Sequence, residues 1–338
     1  MKGWKFWFGL AVGLLALAYF SRDLEVSEFA QSWRRIHPSR YAEGVFWFCF
    51  SFWLRCPRWR VLTRGLGDIG LSLLTKAFFV GMLVNRLFPA RLGEVARCVI
   101  LKRGRMVSLW GLFATVAAEK AFDGLALLSC ALLGLLFIPA GGLPSGVDEF
   151  IDENRAGILV SAFGLPLLLL LVAWSIPLVQ RLFQRFHAAA WHAPFSRTLQ
   201  SVLEGLEVAR RGRSLLAATL LTALVWATLA RSAYCAILSF GWDLHPSSGV
   251  VLCAAIGLAV IVPQAPSFVG VYQVAVQWTM VGLYGVPLQE AKAFAVAIWF
   301  MQIVPVGLIG FVCLRLLGTT LKEATLTEPS PEPPTASP

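Results

Sequence analysis

Long apolar runs alternate along this chain with short polar stretches in which basic residues gather. Runs at 4–20, 42–56, 107–138, 156–179, 214–240 and 289–317 read as membrane-crossing helices, since a helix of about 20 apolar residues spans the hydrocarbon core. Two other runs do not fit that form. Residues 69–102 are too long for one ordinary span, carry Arg86, Arg91, Glu94 and Arg97, and include Pro89 and Gly93 to break the helix. Residues 248–284 are interrupted by Pro263-Gln264-Ala265-Pro266-Ser267, and Gly270 follows. The first reads as half-helices at 69–84 and 92–102 joined by an elbow, the second as apolar stretches at 248–262 and 268–284. For the second, periodicity leaves a hairpin and two full spans both open. Non-helical backbone survives at membrane depth only when buried in protein or lining a wet cavity. The expected fold is therefore an all-α polytopic membrane protein with about six full spans and two re-entrant hairpins, in one domain over 1–322. Interrupted segments in corresponding places of two halves also point to an inverted repeat, although no residue-level repeat is visible.

The polar stretches set the orientation. Basic clusters at Lys2 and Lys5, at Arg55, Arg58, Arg60 and Arg64, at Lys102 to Arg105, and through the loop 180–213 mark cytoplasmic ends. Both ends of 69–102 then face the cytoplasm, which is the condition for a hairpin that enters and returns on one side. Arg315 and Lys322 place the end of the last span on the same side, so the second hairpin is expected to dip from outside. The loop 139–155, with Asp148, Glu149, Asp152 and Glu153, belongs outside. Residues 22–40 have the apolar spacing of a helix lying on the interface, with an ordinary solvated loop as the alternative, and a stretch from Ser196 to Arg211 has that of a helix on the inner leaflet. The tail 323–338 is Pro-rich and expected to be disordered. Ala16-Leu17-Ala18 mimics a signal cleavage site, but the many apolar runs that follow favour an uncleaved first span.

Composition narrows the class. The chain is 57% hydrophobic and 14% charged, which excludes a sizeable soluble domain. A net charge of +10 would suggest nucleic acid in a soluble protein; here the basic residues flank apolar runs, so no nucleic-acid partner is expected. The seven cysteines lack metal-ligand spacing and read as small buried hydrophobes, and no cofactor or metal set is found. The location expected is a bacterial cytoplasmic membrane, with both termini inside.

The elbow carries a pattern. Asn85, Pro89, Arg91, Gly93, Glu94 and Arg97 spell N-x-x-x-P-x-R-x-G-E-x-x-R. Arg58-Trp59 with Leu62, Glu119-Lys120 with Asp123, and the run Pro263 to Gln273 supply further elements. With these motifs the chain resembles the lysylphosphatidylglycerol synthase transmembrane-domain family of flippase-like membrane proteins. Ser267 stands where that family often has Gly, and Gln273 where it often has Glu. The resemblance implies movement of anionic, aminoacylated or glycosylated lipids between leaflets. Fused members also make the aminoacylated lipid with a soluble aminoacyltransferase, which this sequence is expected to lack.

The candidate headgroup site comprises Asn85, Pro89, Arg91, Gly93, Glu94, Arg97, Glu119, Asp123, Arg231, Pro263, Pro266, Gly270 and Gln273. Arg91 and Arg97 suit a phosphate, because a guanidinium stays protonated and makes paired charge-assisted bonds. Half-helix N-termini add N–H donors. Glu94, Glu119 and Asp123, the last two one turn apart on a shared face, balance the arginines or carry a coupling proton; buried ion pairs holding the bundle together are the structural alternative. Arg231, near a span end, also suits a snorkelling role. The expected function is a flippase for a phosphate-bearing lipid, without catalytic residues, with membrane lipids as partners and a homodimer or a biosynthetic enzyme as further ones. The alternatives are a non-transporting accessory subunit of a lipid, hopanoid or polysaccharide pathway, and an integral-membrane lipid-modifying enzyme. The latter is disfavoured because the four histidines fall outside the expected spans and no nucleophile–base set is visible.

Overall fold

A computed structural model describes residues 4–88, 92–103, 107–139, 145–164, 167–168, 212–261, 265–321 and 323. Among these the regular structure is helical, with no strand. Helix α1 (Trp4–Ser21) takes up the first apolar run, and the chain turns by 90° into α2 (Val26–Arg34) within the expected interfacial segment. Pro38 opens α3 (Pro38–Thr63), its missing N–H costing nothing in a first turn. This helix outruns the expected span 42–56 at both ends and draws Arg55, Arg58 and Arg60 into its last turns. Arg58 is consequently not a solvated loop charge; it is fully buried, because carboxylates on another helix meet it.

The chain then turns by 115° into α4 (Leu71–Leu87) and breaks before α5 (Leu92–Lys102), where the sequence sets the first elbow. The two helices fold back on each other so closely that a Cβ on Gly93 would stand 1.8 Å from the carbonyl oxygen of Gly81. Helix α6 (Leu109–Leu135) starts at an N-cap in which Ser108 Oγ accepts the Gly111 N–H. The stretch 139–155, expected as loop, contains α7 (Ser145–Glu153), whose Ile151 is buried. Helix α8 (Arg155–Gly164) begins the next apolar run.

Helices α9 (Gly212–Ser239) and α10 (Ser248–Ala259) precede the second break. A 3-10 turn (Pro266–Phe268), α11 (Val271–Trp278) and a π-helical turn (Thr279–Leu283) follow it, and α12 (Leu288–Leu316) closes the bundle. Helix α1 is bound into this second elbow, since a Cβ on Gly270 would meet the Gly13 carbonyl oxygen at 2.2 Å.

Helices α9 and α12 are long and apolar enough to cross a membrane, and the count rises to four if each bent pair at the N-terminal end is one span. The six-span expectation is not reached on composition alone. Helices α3 and α6, at 26 and 27 residues about 40 Å long, have the length, but carry several charged residues within it. Pro89, Arg91, Pro263, residues 180–211 with the surface helix at Ser196–Arg211, most of 156–179 and the tail beyond Glu323 lie outside the described residues. The apolar interior forms two main cores. One surrounds Trp59, Phe78, Phe79 and Leu112 beside the first elbow; the other surrounds Ile237, Tyr272, Phe294 and Ile298 beside the second. A small third cluster gathers Leu127, Val225, Trp226 and Cys253. All seven cysteines are unpaired thiols, five of them buried.

Candidate functional site

Asn85 holds the first elbow shut. Its Oδ1 accepts the Gly93 N–H at 2.7 Å, satisfying a donor at the start of α5 from the last turn of α4. Gly93 is needed because a Cβ there would meet both the Gly81 carbonyl and Asn85 Oδ1. The rest of α5 carries charge into the bundle. Lys120 Nζ meets Glu94 at 2.7 Å, and Arg97 Nη1 donates to Glu119 Oε2 at 2.9 Å. Arg97 is fully buried, its guanidinium 4.4 Å from the Trp59 ring centroid and 5.6 Å from that of Phe78.

The carboxylates of α6 are shared with α3. Arg58 Nη2 stands 3.4 Å from Glu119, and Arg58 Nη1 donates to Asp123 Oδ1 at 2.6 Å and to Thr222 Oγ1 at 3.1 Å. Asp123 Oδ2 accepts from Arg55 Nη1 at 3.1 Å and Arg58 Nη2 at 3.2 Å. One network thus joins α3, α5, α6 and α9: four cations (Arg55, Arg58, Arg97, Lys120) against three carboxylates (Glu94, Glu119, Asp123). Desolvating these charges is affordable only because nearly every one is matched.

The second elbow is held without charge. Ser267 sits at φ +58°, a conformation that suits Gly; its Oγ donates to the Arg86 carbonyl at 2.9 Å. Trp299 Nε1 donates to the Ser267 carbonyl at 2.9 Å. The two elbows therefore touch. Pro266 opens the turn, and Gln273, buried, accepts the Gly270 N–H at 2.7 Å and caps α11.

Between the elbows lies a cavity of about 400 Å³. Its walls are mostly apolar and aromatic, including Phe52, Trp226, Phe268, Tyr272 and Trp299, and its charges are Arg55, Arg86, Lys120 and Asp123. Arg86 is the cation that lacks a carboxylate among the described residues: Nη1 and Nη2 donate to the Met82 and Gln302 carbonyls at 3.2 and 3.0 Å. Of the residues expected in the site, Asp123 lines the cavity directly, while Asn85, Gly93, Glu94, Arg97 and Glu119 do not; Glu94 pairs with the lining Lys120, and Arg58 links Glu119 to Asp123. Pro266, Gly270 and Gln273 shape the second elbow beside it, and Pro89, Arg91 and Pro263 are outside the described residues. Arg231 is not brought in. It pairs with Glu43, twelve residues or about 18 Å of helix before Arg55. Sequence reasoning missed Arg55 and Arg86 as cavity residues. The Arg-Trp element at 58–59 signals that the last turns of α3 are internal, which would have recovered Arg55 one turn earlier.

These features define a multi-pass helical membrane protein built around two broken helices and an amphipathic cavity. The chain belongs to the family of the lysylphosphatidylglycerol synthase TM region, which it matches over residues 6–310. It is 27% identical over 317 residues to the protein named glycosyltransferase AglD of Haloferax volcanii, covering 86% of this chain and 50% of that protein. It is also 23% identical over 344 residues to a UPF0104 membrane protein of Methanothermobacter thermautotrophicus, covering 93% of this chain and 96% of the relative. The chain thus spans about half the length of the first relative and nearly all of the second.

Proposed function

We propose that this protein moves a phosphate-bearing lipid, anionic, aminoacylated or glycosylated, between the leaflets of a bacterial cytoplasmic membrane, with the headgroup passing through the cavity between the elbows. The observation that carries the reading is the make-up of that cavity: apolar walls around three cations and one carboxylate. A lipid headgroup must cross about 30 Å of hydrocarbon, and an anion supplies the charge that Arg86 lacks. The acyl chains stay in the bilayer. In this reading the elbows are re-entrant, dipping from opposite faces to meet at Ser267 and Arg86, with α3 and α6 completing the spans.

The ion-pair network keeps the wall in place, and Arg86, with Arg55, forms the anion-facing surface. Reconstituted vesicles test this. Labelled phosphatidylglycerol is expected to change leaflets without change of mass, with Arg86→Gln slowing it at least tenfold, about 1.4 kcal/mol, and Arg231→Gln leaving it unchanged. A wild-type protein that leaves the label in its leaflet contradicts the proposal.

A second reading draws on the half-length match to a protein named as a glycosyltransferase. There, this chain is the membrane partner of a separate sugar-transferring enzyme. Such a subunit leaves lipid asymmetry untouched and co-purifies with the enzyme.

A further inference from the structure

The cavity has two unlike sides. Its charges stand on α3, α4 and α6, where Arg55 pairs with Asp123 and Lys120 with Glu94, so Arg86 is the wall cation without a carboxylate among the described residues. The side built by α9, α10, α11 and α12 is lined by uncharged residues. Three of these are aromatic hydrogen-bond donors, and they are not alike. Trp299 Nε1 donates to the Ser267 carbonyl at 2.9 Å, whereas Trp226 Nε1 and the Tyr272 hydroxyl are buried without a hydrogen bond among the described residues. Both rings are fixed by packing. Trp226, 9% exposed, lies in the cluster with Leu127 and Cys253, and Tyr272, 3% exposed, in the core with Ile237 and Phe294. Buried indole and phenol groups ordinarily find a partner, and a donor left open among apolar side chains is costly.

We infer that Trp226 and Tyr272 are specificity residues that read the uncharged oxygens of the headgroup beyond its phosphate, while Arg86 takes the phosphate itself. The inference rests on the reading of the cavity as a headgroup path and deepens it by naming what else the substrate must carry. An indole N–H only donates, so the ligand must bring Trp226 an oxygen acceptor; a phenol donates or accepts, so Tyr272 suits a hydroxyl as well as a carbonyl. Glycerol, sugar and aminoacyl ester headgroups all supply such oxygens, and a bare alkyl phosphodiester supplies none. The discrimination comes from the protein's own donors. With an alkyl headgroup they stay buried and unpaired, and a site built to bond a hydroxyl rejects the analogue that lacks it. Because the pair is neutral, it reads oxygen and leaves charge to the opposite wall.

A matched pair of lipids tests this. The purified full chain, in detergent, is offered equimolar phosphatidylglycerol and phosphatidylpropanol with the same acyl chains, and retained lipid is read by native mass spectrometry. The two carry the same phosphodiester charge and differ in the glycerol hydroxyls. Phosphatidylglycerol is expected to be retained over its alkyl analogue at least about tenfold. Tyr272→Phe and Trp226→Phe, each removing a donor and keeping an aromatic ring, are expected to bring that ratio towards one, while Arg86→Gln lowers retention of both lipids together. Ether-linked phosphatidylglycerol separates headgroup oxygens from acyl ester carbonyls: the wild type is expected to retain it as well as the ester form, and a preference for the ester form that Tyr272→Phe abolishes overturns the assignment to the headgroup. Equal retention of the glycerol and propanol lipids by the wild type, or a preference that survives both substitutions, overturns the inference while leaving a lipid-binding cavity in place. Retention of no lipid overturns the underlying reading and the inference with it. Tyr272→Phe, which removes a single oxygen, decides by itself should Trp226→Phe fail to fold.

Discussion

The two elbows interrupt helices in the same membrane protein, yet they differ in what surrounds them: the neutral Asn85–Gly93 hydrogen bond closes the first, and charge ties it to its neighbours. At the first, Arg97 and Glu94 leave the short helix for Glu119 and Lys120, in a network that also takes in Arg55, Arg58 and Asp123. At the second, a hydroxyl, an indole and a carboxamide suffice: Ser267 on the Arg86 carbonyl, Trp299 on Ser267, Gln273 on Gly270. A broken helix can therefore be closed here with neutral groups alone. Buried ion pairs are rarely the cheapest source of stability, and well-packed apolar side chains often replace them without loss. The charge at the first elbow consequently calls for a reason beyond closure, and the cavity it borders supplies one.

Breaking the charged elbow should cost most. Glu119→Gln leaves Arg97 and Arg58 short of a counter-charge in the core, and a loss of about 3–5 kcal/mol is expected, read as a fall in thermal midpoint in detergent. A change under about 1 kcal/mol would mean that the network is slack. Gly93→Ala comes next. Its Cβ has no room against the Gly81 carbonyl, so α4 and α5 must part, at about 1–3 kcal/mol by the same assay.

The neutral elbow should respond more weakly. Gln273→Ala removes one cap and is expected to cost about 1 kcal/mol. Ser267→Gly is the smallest effect: it relieves a left-handed φ while losing one hydrogen bond, and the two nearly cancel, within about 0.5 kcal/mol. If the Gln273 and Ser267 variants proved as damaging as Glu119→Gln, the contrast between the elbows would vanish.

Much of this was legible from the chain. The ends of α4 at Leu87 and of α10 at Ala259 follow from Pro, Gly and charge inside apolar runs, and the structure joins Asn85 to Gly93, Glu94 to Lys120 and Arg97 to Glu119. The role of the α3 arginines was not legible. Positive charge at the end of an apolar run marks a cytoplasmic loop equally well, and only the approach of Asp123, 65 residues later, separates the two. Arg231 misled for the mirror reason. Its partner, Glu43, is 188 residues away, so nothing local showed that the pair forms away from the cavity. Gln273 was legible as a polar residue at an elbow, but its partner is the backbone of its own turn, which periodicity does not reveal.

The central claim, a lipid phosphate seated at Arg86 between the elbows, is open to a direct distance measurement. Protein labelled with 13C at the arginine Cζ carbons and reconstituted in phosphatidylglycerol can be examined by phosphorus–carbon dipolar recoupling in the solid state, with Arg86→Gln assigning the signal. The account predicts a phosphorus about 4–5 Å from Arg86 Cζ, as in a charge-assisted guanidinium–phosphate contact. Coupling that survives unchanged in Arg86→Gln, or arises solely from arginines away from the cavity such as Arg231, would contradict it.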